Sequence, residues 1–93
     1  MGKYLIELTD LAKDQLQKHK KAGNKSTISK LNKIFEDLEN HPFEGVGNPE
    51  ALKHQLSGFW SRRINQKDRL IYSVNENLVL VEVFSAMGHY NDK

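Results

Sequence analysis

Apolar residues change their spacing several times along the chain, and each change predicts an element. Residues 3–8 (KYLIEL) are short and rich in β-formers, and they run into the turn-prone pair Thr9-Asp10, which predicts a strand. From Leu8 the period lengthens. Leu8, Leu11, Ala12 and Leu16 recur at steps of three and four, one stripe of a helix that Thr9 can cap and Gly23 can stop. His19, Lys20 and Lys21 fall near its C-terminal end, where the helix dipole favours cations. Ile28, Leu31, Ile34, Phe35 and Leu38 mark a second helix over residues 26–40, ended by His41-Pro42 because proline disfavours helical geometry in the residue before it. The short link at Gly23-Asn24-Lys25 makes the two an antiparallel hairpin.

After the loop at residues 42–49 the alternation becomes strand-like, over 51–56, 59–64, 69–74 and 78–84, with turns at 57–58, 65–68 and 75–77. A strand, two helices and then an antiparallel meander predict an α+β fold. In it the N-terminal strand and the two-helix hairpin pack on one face of an antiparallel β-sheet. The other face is left for solvent or a partner. Alternation sorts the side chains: Phe59, Ser61 and Arg63 share one face, and Trp60, Arg62 and Ile64 the other. Leu70, Tyr72 and Val74 form the core side of the next strand, which puts Arg69 with Ile71 and Ser73 on the open side, alongside Arg63.

Composition narrows the classes. Residues 1–93 are the size of a single domain with a thin core, and no repeat, low-complexity tract or linker divides them. There is no cysteine, so disulfides and thiolate chemistry are excluded. No apolar run approaches the ~20 residues of a membrane span, and the N-terminus lacks a signal-peptide layout, so a cytoplasmic protein with no membrane partner is expected. A net charge of +2 says little, but its distribution says more. Between residues 53 and 69, Lys53, Arg62, Arg63, Lys67 and Arg69 stand against the single acid Asp68. The stretch 49–72 therefore reads as a floor for a polyanion, with Glu50 as a lone acid before it and His54 within it.

The residues in that stretch carry a resemblance. PFEGVGNPEALKHQLSGFWSRRINQKDRLIY, followed by a closing GHY, resembles the YoeB branch of the RelE/ParE superfamily of toxins from toxin–antitoxin pairs. The resemblance is strong from Pro42 to Tyr72 and at His89-Tyr90, and only a shared pattern in the helical hairpin. It implies a RelE-like fold and a ribosome-dependent endoribonuclease that cuts mRNA in the decoding site by metal-free transesterification, with no cofactor. Carried over by position, Glu50 resembles the general base, His89 the general acid and Arg69 the cation facing the phosphorane. Arg63 and Lys53 resemble phosphate contacts, and Tyr90 resembles the residue that orients the substrate. His54, given no role by the resemblance, is a candidate substrate contact beside the plainer reading of a structural or solvated strand histidine. The implied partners are mRNA on the small ribosomal subunit and a YefM-like antitoxin, with room for a homodimer. Two departures stand out: Met87 occupies a place where relatives often carry a cation, and Asn91-Asp92-Lys93 follow the tyrosine.

The chemistry agrees with those roles. Cleavage through a ribose 2′-OH needs a base and an acid, a guanidinium forks onto two phosphate oxygens, and DNA lacks the nucleophile. Each residue alone has a plainer reading. Glu50 could be a solvated loop acid, the arginines edge charges against aggregation, Trp60 part of the core and His89 an idle chain end. His19 and His41 are assigned to surface and helix end. Two other functions share the fold, a ParE-like inhibitor of gyrase and an RNA-binding module without turnover. The joint occurrence of Glu50, Arg63, Arg69, His89 and Tyr90 favours the ribonuclease.

Overall fold

The computed structural model describes residues 3–88. Strand β1 (Leu5–Leu8) leads into helices α1 (Asp10–Ala22) and α2 (Lys25–Asn40). Then follow β2 (Glu50–Ala51), a 3-10 turn (His54–Leu56), β3 (Trp60–Arg63), β4 (Arg69–Asn75) and β5 (Leu80–Ser85). The sheet order is β1-β5-β4-β3-β2. The meander β2 to β5 is antiparallel, and β1 adds a parallel edge beside β5, so the sheet is mixed.

Local chemistry explains the helix ends. The Thr9 hydroxyl accepts from the Ala12 N–H at 3.1 Å and donates to the Phe84 carbonyl at 2.9 Å, so one side chain caps α1 and ties it to β5. Gly23 closes α1 in the left-handed region, φ 72°, and Asn24 caps α2 through the Thr27 N–H at 3.0 Å. The helices lay Ala12, Leu31, Ile34 and Leu38 against Ile64, Leu70, Tyr72, Val81 and Val83, all buried. Among the described residues, no helix is long and apolar enough to cross a membrane.

Two predicted strands shorten. The run 51–56 keeps only β2, because Leu52 turns inward to burial and His54 adopts φ 59°, which starts the 3-10 turn. The run 78–84 begins at Leu80, since residues 76–79 form a turn in which the Asn75 side chain accepts from the Leu78 N–H at 3.0 Å. Val79 in that turn has φ 51°, a region that β-branched residues avoid, while its carbonyl accepts from the Leu5 N–H at 2.9 Å. Val79→Asn keeps the carbonyl and relieves the strain. It is expected to stabilise the fold by about 1 kcal/mol, read as a rise of roughly 4–8 °C in thermal midpoint; an unchanged or lower midpoint contradicts it.

Candidate active site

The site is built from the loop before β2 outward. Arg62 holds that loop. It lies on the helix side of β3, wholly buried, and all five of its N–H donors are used. Nε donates to the Tyr72 hydroxyl at 3.1 Å, and Nη1 to the Asp37 carboxylate at 3.3 Å and the Val46 carbonyl at 3.1 Å. Nη2 donates to the carbonyls of His41 at 2.7 Å and Glu44 at 3.0 Å. The Tyr72 hydroxyl passes its own proton to the Pro42 carbonyl at 2.7 Å. Burial pushes that phenol above its ordinary pKa, with the Arg62 bond and charge working against the rise. The loop wraps so closely that a Cβ on Gly45, at φ 126°, would meet the Asp37 carboxylate. The loop ahead of Glu50 is thus fixed at residues 41, 42, 44 and 46 by Arg62 and its partner Tyr72.

Strand register then sets the opposite face. Glu50 pairs with Ser61, Ser61 with Ile71, and Arg63 with Arg69. Alternation along β3 puts Ser61 and Arg63 on one face, so Glu50, Arg63 and Arg69 share it, away from the helices. Glu50 and Arg63 are diagonal neighbours, about 7–8 Å apart at the backbone by sheet geometry. Two cations directly opposite repel each other unless an anion lies between or beside them. Arg63 is exposed; Arg69 is half-buried, its Nη1 donating to the carbonyls of Asn65 at 3.3 Å and Asp68 at 3.4 Å. Lys53 and His54 sit exposed on the bend just after β2. The structure therefore brings Glu50, Arg63 and Arg69 to one face and places Lys53 and His54 on the adjoining bend. His89 and Tyr90 lie outside the described residues.

Asp68 organises the turn beside Arg69. It is nearly buried, its Oδ1 accepting from the Gly88 N–H at 2.9 Å and its Oδ2 from the Asn65 amide at 3.1 Å. Burial works to raise its pKa; the Gly88 and Asn65 hydrogen bonds and the charges of His19 and Lys67 together outweigh it and lower the value. A carboxyl with a depressed folded pKa adds stability that is complete above its unfolded pKa of 3.8 and is lost as pH falls through the lower folded value. Wild type is therefore expected to lose thermal midpoint more steeply than Asp68→Asn on acidification below about pH 5. Parallel acid limbs in thermal melts of the two proteins would refute this.

Two predicted assignments are corrected. Arg62 is neither an edge charge nor part of the polyanion floor; it points into the core side and is consumed by the loop. The signal was present in the alternation, which set it between Trp60 and Ile64, and in Asp37 as the available acid on α2. His19 is not a surface residue: it is buried, and its Nε2 donates to the Ala86 carbonyl at 2.7 Å. No spacing in the sequence pointed to that partner. Trp60 does pack on the core, with Phe43 against it at 5.2 Å, and His41 does end α2.

Among the described residues, two helices on one side of a five-stranded mixed sheet, with a cationic pair on the side away from them, define a RelE-like toxin fold. The chain belongs to the YoeB family. The family model described as YoeB-like toxin of bacterial type II toxin–antitoxin system matches residues 10–90. A Toxin YoeB of Escherichia coli is 50% identical over 58 residues, 62% of this chain and 69% of that one. The YoeB/ParE toxin from Agrobacterium tumefaciens superposes with a TM-score of 0.82 at 29% identity, covering 92% of this chain and 99% of that one. Two Staphylococcus aureus structures, a heterotetrameric YoeB–YefM complex and a YoeB dimer, are each 32% identical. Their TM-scores are 0.74 and 0.76, covering 94% and 95% of this chain and 98% and 99% of theirs. The protein is thus a toxin of a type II toxin–antitoxin system.

Proposed function

We propose that the protein is a ribosome-dependent endoribonuclease that cleaves mRNA in the decoding site and so inhibits translation. The observation that carries the reading is the direct pairing of Arg63 with Arg69, with Glu50 one diagonal step from Arg63 on the same face, away from the helices. An RNA phosphate set between the arginines relieves their repulsion and lies within reach of a base.

In this reading Glu50 removes the proton from the ribose 2′-OH, and the oxygen attacks the adjacent phosphorus. The two nonbridging oxygens gain charge in the phosphorane, and Arg69 holds them with a forked pair of N–H groups. The 5′-oxygen leaves with a proton from His89, giving a 2′,3′-cyclic phosphate and a 5′-hydroxyl. Arg63 and Lys53 hold flanking phosphates, His54 contacts substrate beside them, and Tyr90 orients the nucleotide. None of these steps calls for a metal or a cofactor.

The partners follow from the same face. The Staphylococcus aureus assemblies support a YefM-like antitoxin for this chain, and also a homodimer. An acidic antitoxin segment laid over Arg63 and Arg69 would occupy the place of the phosphates. The deciding experiment maps cleaved message ends on translating ribosomes for wild type beside Glu50→Ala. New ends with wild type alone support the reading. Ends equally abundant with Glu50→Ala remove the base, and no ends with either remove the nuclease.

A further inference from the structure

Three buried or half-buried polar side chains, Gln15, His19 and Asp68, have no part in that reaction, yet they converge on three consecutive residues. Among the described residues none beyond Ser85 forms a ladder pair, but residues 86–88 are held at both ends. Gln15 Oε1 accepts from the Ala86 N–H at 2.6 Å, and His19 Nε2 lies 2.7 Å from the Ala86 carbonyl. A carbonyl oxygen only accepts, so Nε2 carries the proton. Asp68 Oδ1 accepts from the Gly88 N–H at 2.9 Å, and the Arg69 N–H donates to the Gly88 carbonyl at 3.0 Å.

An imidazole and a carboxylate taken out of water are costly unless hydrogen-bonded, and here both, with the half-exposed Gln15 amide, bond to this segment. Water could satisfy the backbone groups of an ordinary chain exit. Here two turns of α1 and the β3–β4 turn do so instead, and Gly88, held by that turn, is the residue bonded to His89. Two consecutive residues, Asp68 and Arg69, bind the two sides of Gly88, so both of its backbone polar groups are fixed by the turn. The second of them is the arginine assigned to the phosphorane.

We propose that Gln15, His19 and Asp68 are positioning residues, fixing where the chain carrying His89 and Tyr90 departs from the Arg69 end of the face. The proposal rests on the ribonuclease reading. Its mechanism is geometric: a displacement of about 1 Å between an acid and its leaving group is enough to lower a rate by ~10²-fold.

The test uses the full-length chain in single-turnover cleavage on programmed ribosomes, with KM taken from the same titrations. Gln15→Leu removes one acceptor from a half-exposed helix position, and Asp68→Ala removes the other. Both are expected to lower kcat by roughly 10–100-fold with KM within about twofold of wild type. Gln15→Glu restores the acceptor and is expected to recover most of the rate. Amide exchange supplies a readout that does not depend on turnover, and the Gly88 N–H is expected to exchange faster in Asp68→Ala. Folded Gln15→Leu cleaving at the wild-type rate overturns the proposal, as does a loss of rate that Gln15→Glu shares. Glu50→Ala in the same assay separates the two readings. Cleavage that survives Glu50→Ala removes the reaction assigned to the face; cleavage that survives Gln15→Leu and Asp68→Ala removes the positioning alone.

Discussion

Arg62→Leu is expected to abolish cooperative folding or to lower the thermal midpoint by more than about 15 °C, measured by circular dichroism beside Arg63→Leu. Replacing a buried ion pair by apolar groups can be nearly neutral when both partners go. Here the partners cannot go. Three of the five acceptors are main-chain carbonyls, of His41, Glu44 and Val46, and leucine takes the guanidinium donor from each, leaving His41 only the Glu44 N–H at 3.3 Å. Asp37 keeps only the Val46 N–H. Removing one side of such a network costs about 3–5 kcal/mol, against a total of roughly 5–15 kcal/mol for a domain. Arg62→Lys is expected to rescue little, because an ammonium offers three donors from one point to acceptors spread along the loop. Arg63→Leu, at an exposed position, is expected to change stability by no more than about 0.5 kcal/mol. A wild-type midpoint for Arg62→Leu would show that the loop does not depend on the guanidinium.

The second large effect is catalytic. Glu50→Ala is expected to lower the single-turnover cleavage rate on ribosomes by ~10²–10⁴-fold, the usual range for a positioned base. Arg69→Ala is expected to lose ~10²–10³-fold, as when one group facing a developing oxyanion is removed. Arg69→Lys keeps the charge and loses the fork, so it should fall between Arg69→Ala and wild type. Glu50 is exposed on a two-residue strand, so its variant is expected to lose no more than about 1 kcal/mol of stability, the range of an exposed contact. A matching loss of stability and rate in Glu50→Ala would point to a structural acid instead. His89→Gln belongs in the same series, and an unchanged rate there would end its assignment as the acid.

Much of the fold was legible because the signals were local. Leu31, Ile34 and Leu38 are spaced for one helix face, and Thr9 and Gly23 are end signals whatever surrounds them. Alternation put Arg63 and Arg69 on the open side, and the register placing them opposite each other agrees. What stayed hidden depends on distant partners. The same alternation that exposed Arg63 buried Arg62, but whether a buried arginine is satisfied depends on a loop 16 to 21 residues earlier. The shortness of β2 follows from Leu52 finding a core position, and a strand pattern does not foretell that. His19 and Gln15 meet Ala86 across 67 and 71 residues, a separation with no trace in sequence periodicity. The parallel partner of β1 was hidden for the same reason.

That parallel partner bears on how the toxin is made. Leu5 meets Leu80 and Leu8 meets Val83, so the first strand waits 75 residues for its neighbour. Closing so long a loop is slow, because its entropy must be lost before the strand bonds repay it. During synthesis the helical hairpin can form as soon as it emerges, but the sheet cannot be completed until β5 follows. The β3–β4 hairpin that sets Arg63 opposite Arg69 is made before β5, the neighbour that joins it to β1. A chain stalled in the turn at residues 76–79 would carry Glu50, Arg63 and Arg69 without β5 between β1 and β4. Synthesis order alone would then set when the sheet is complete, since β1 has no ladder partner until β5 is made.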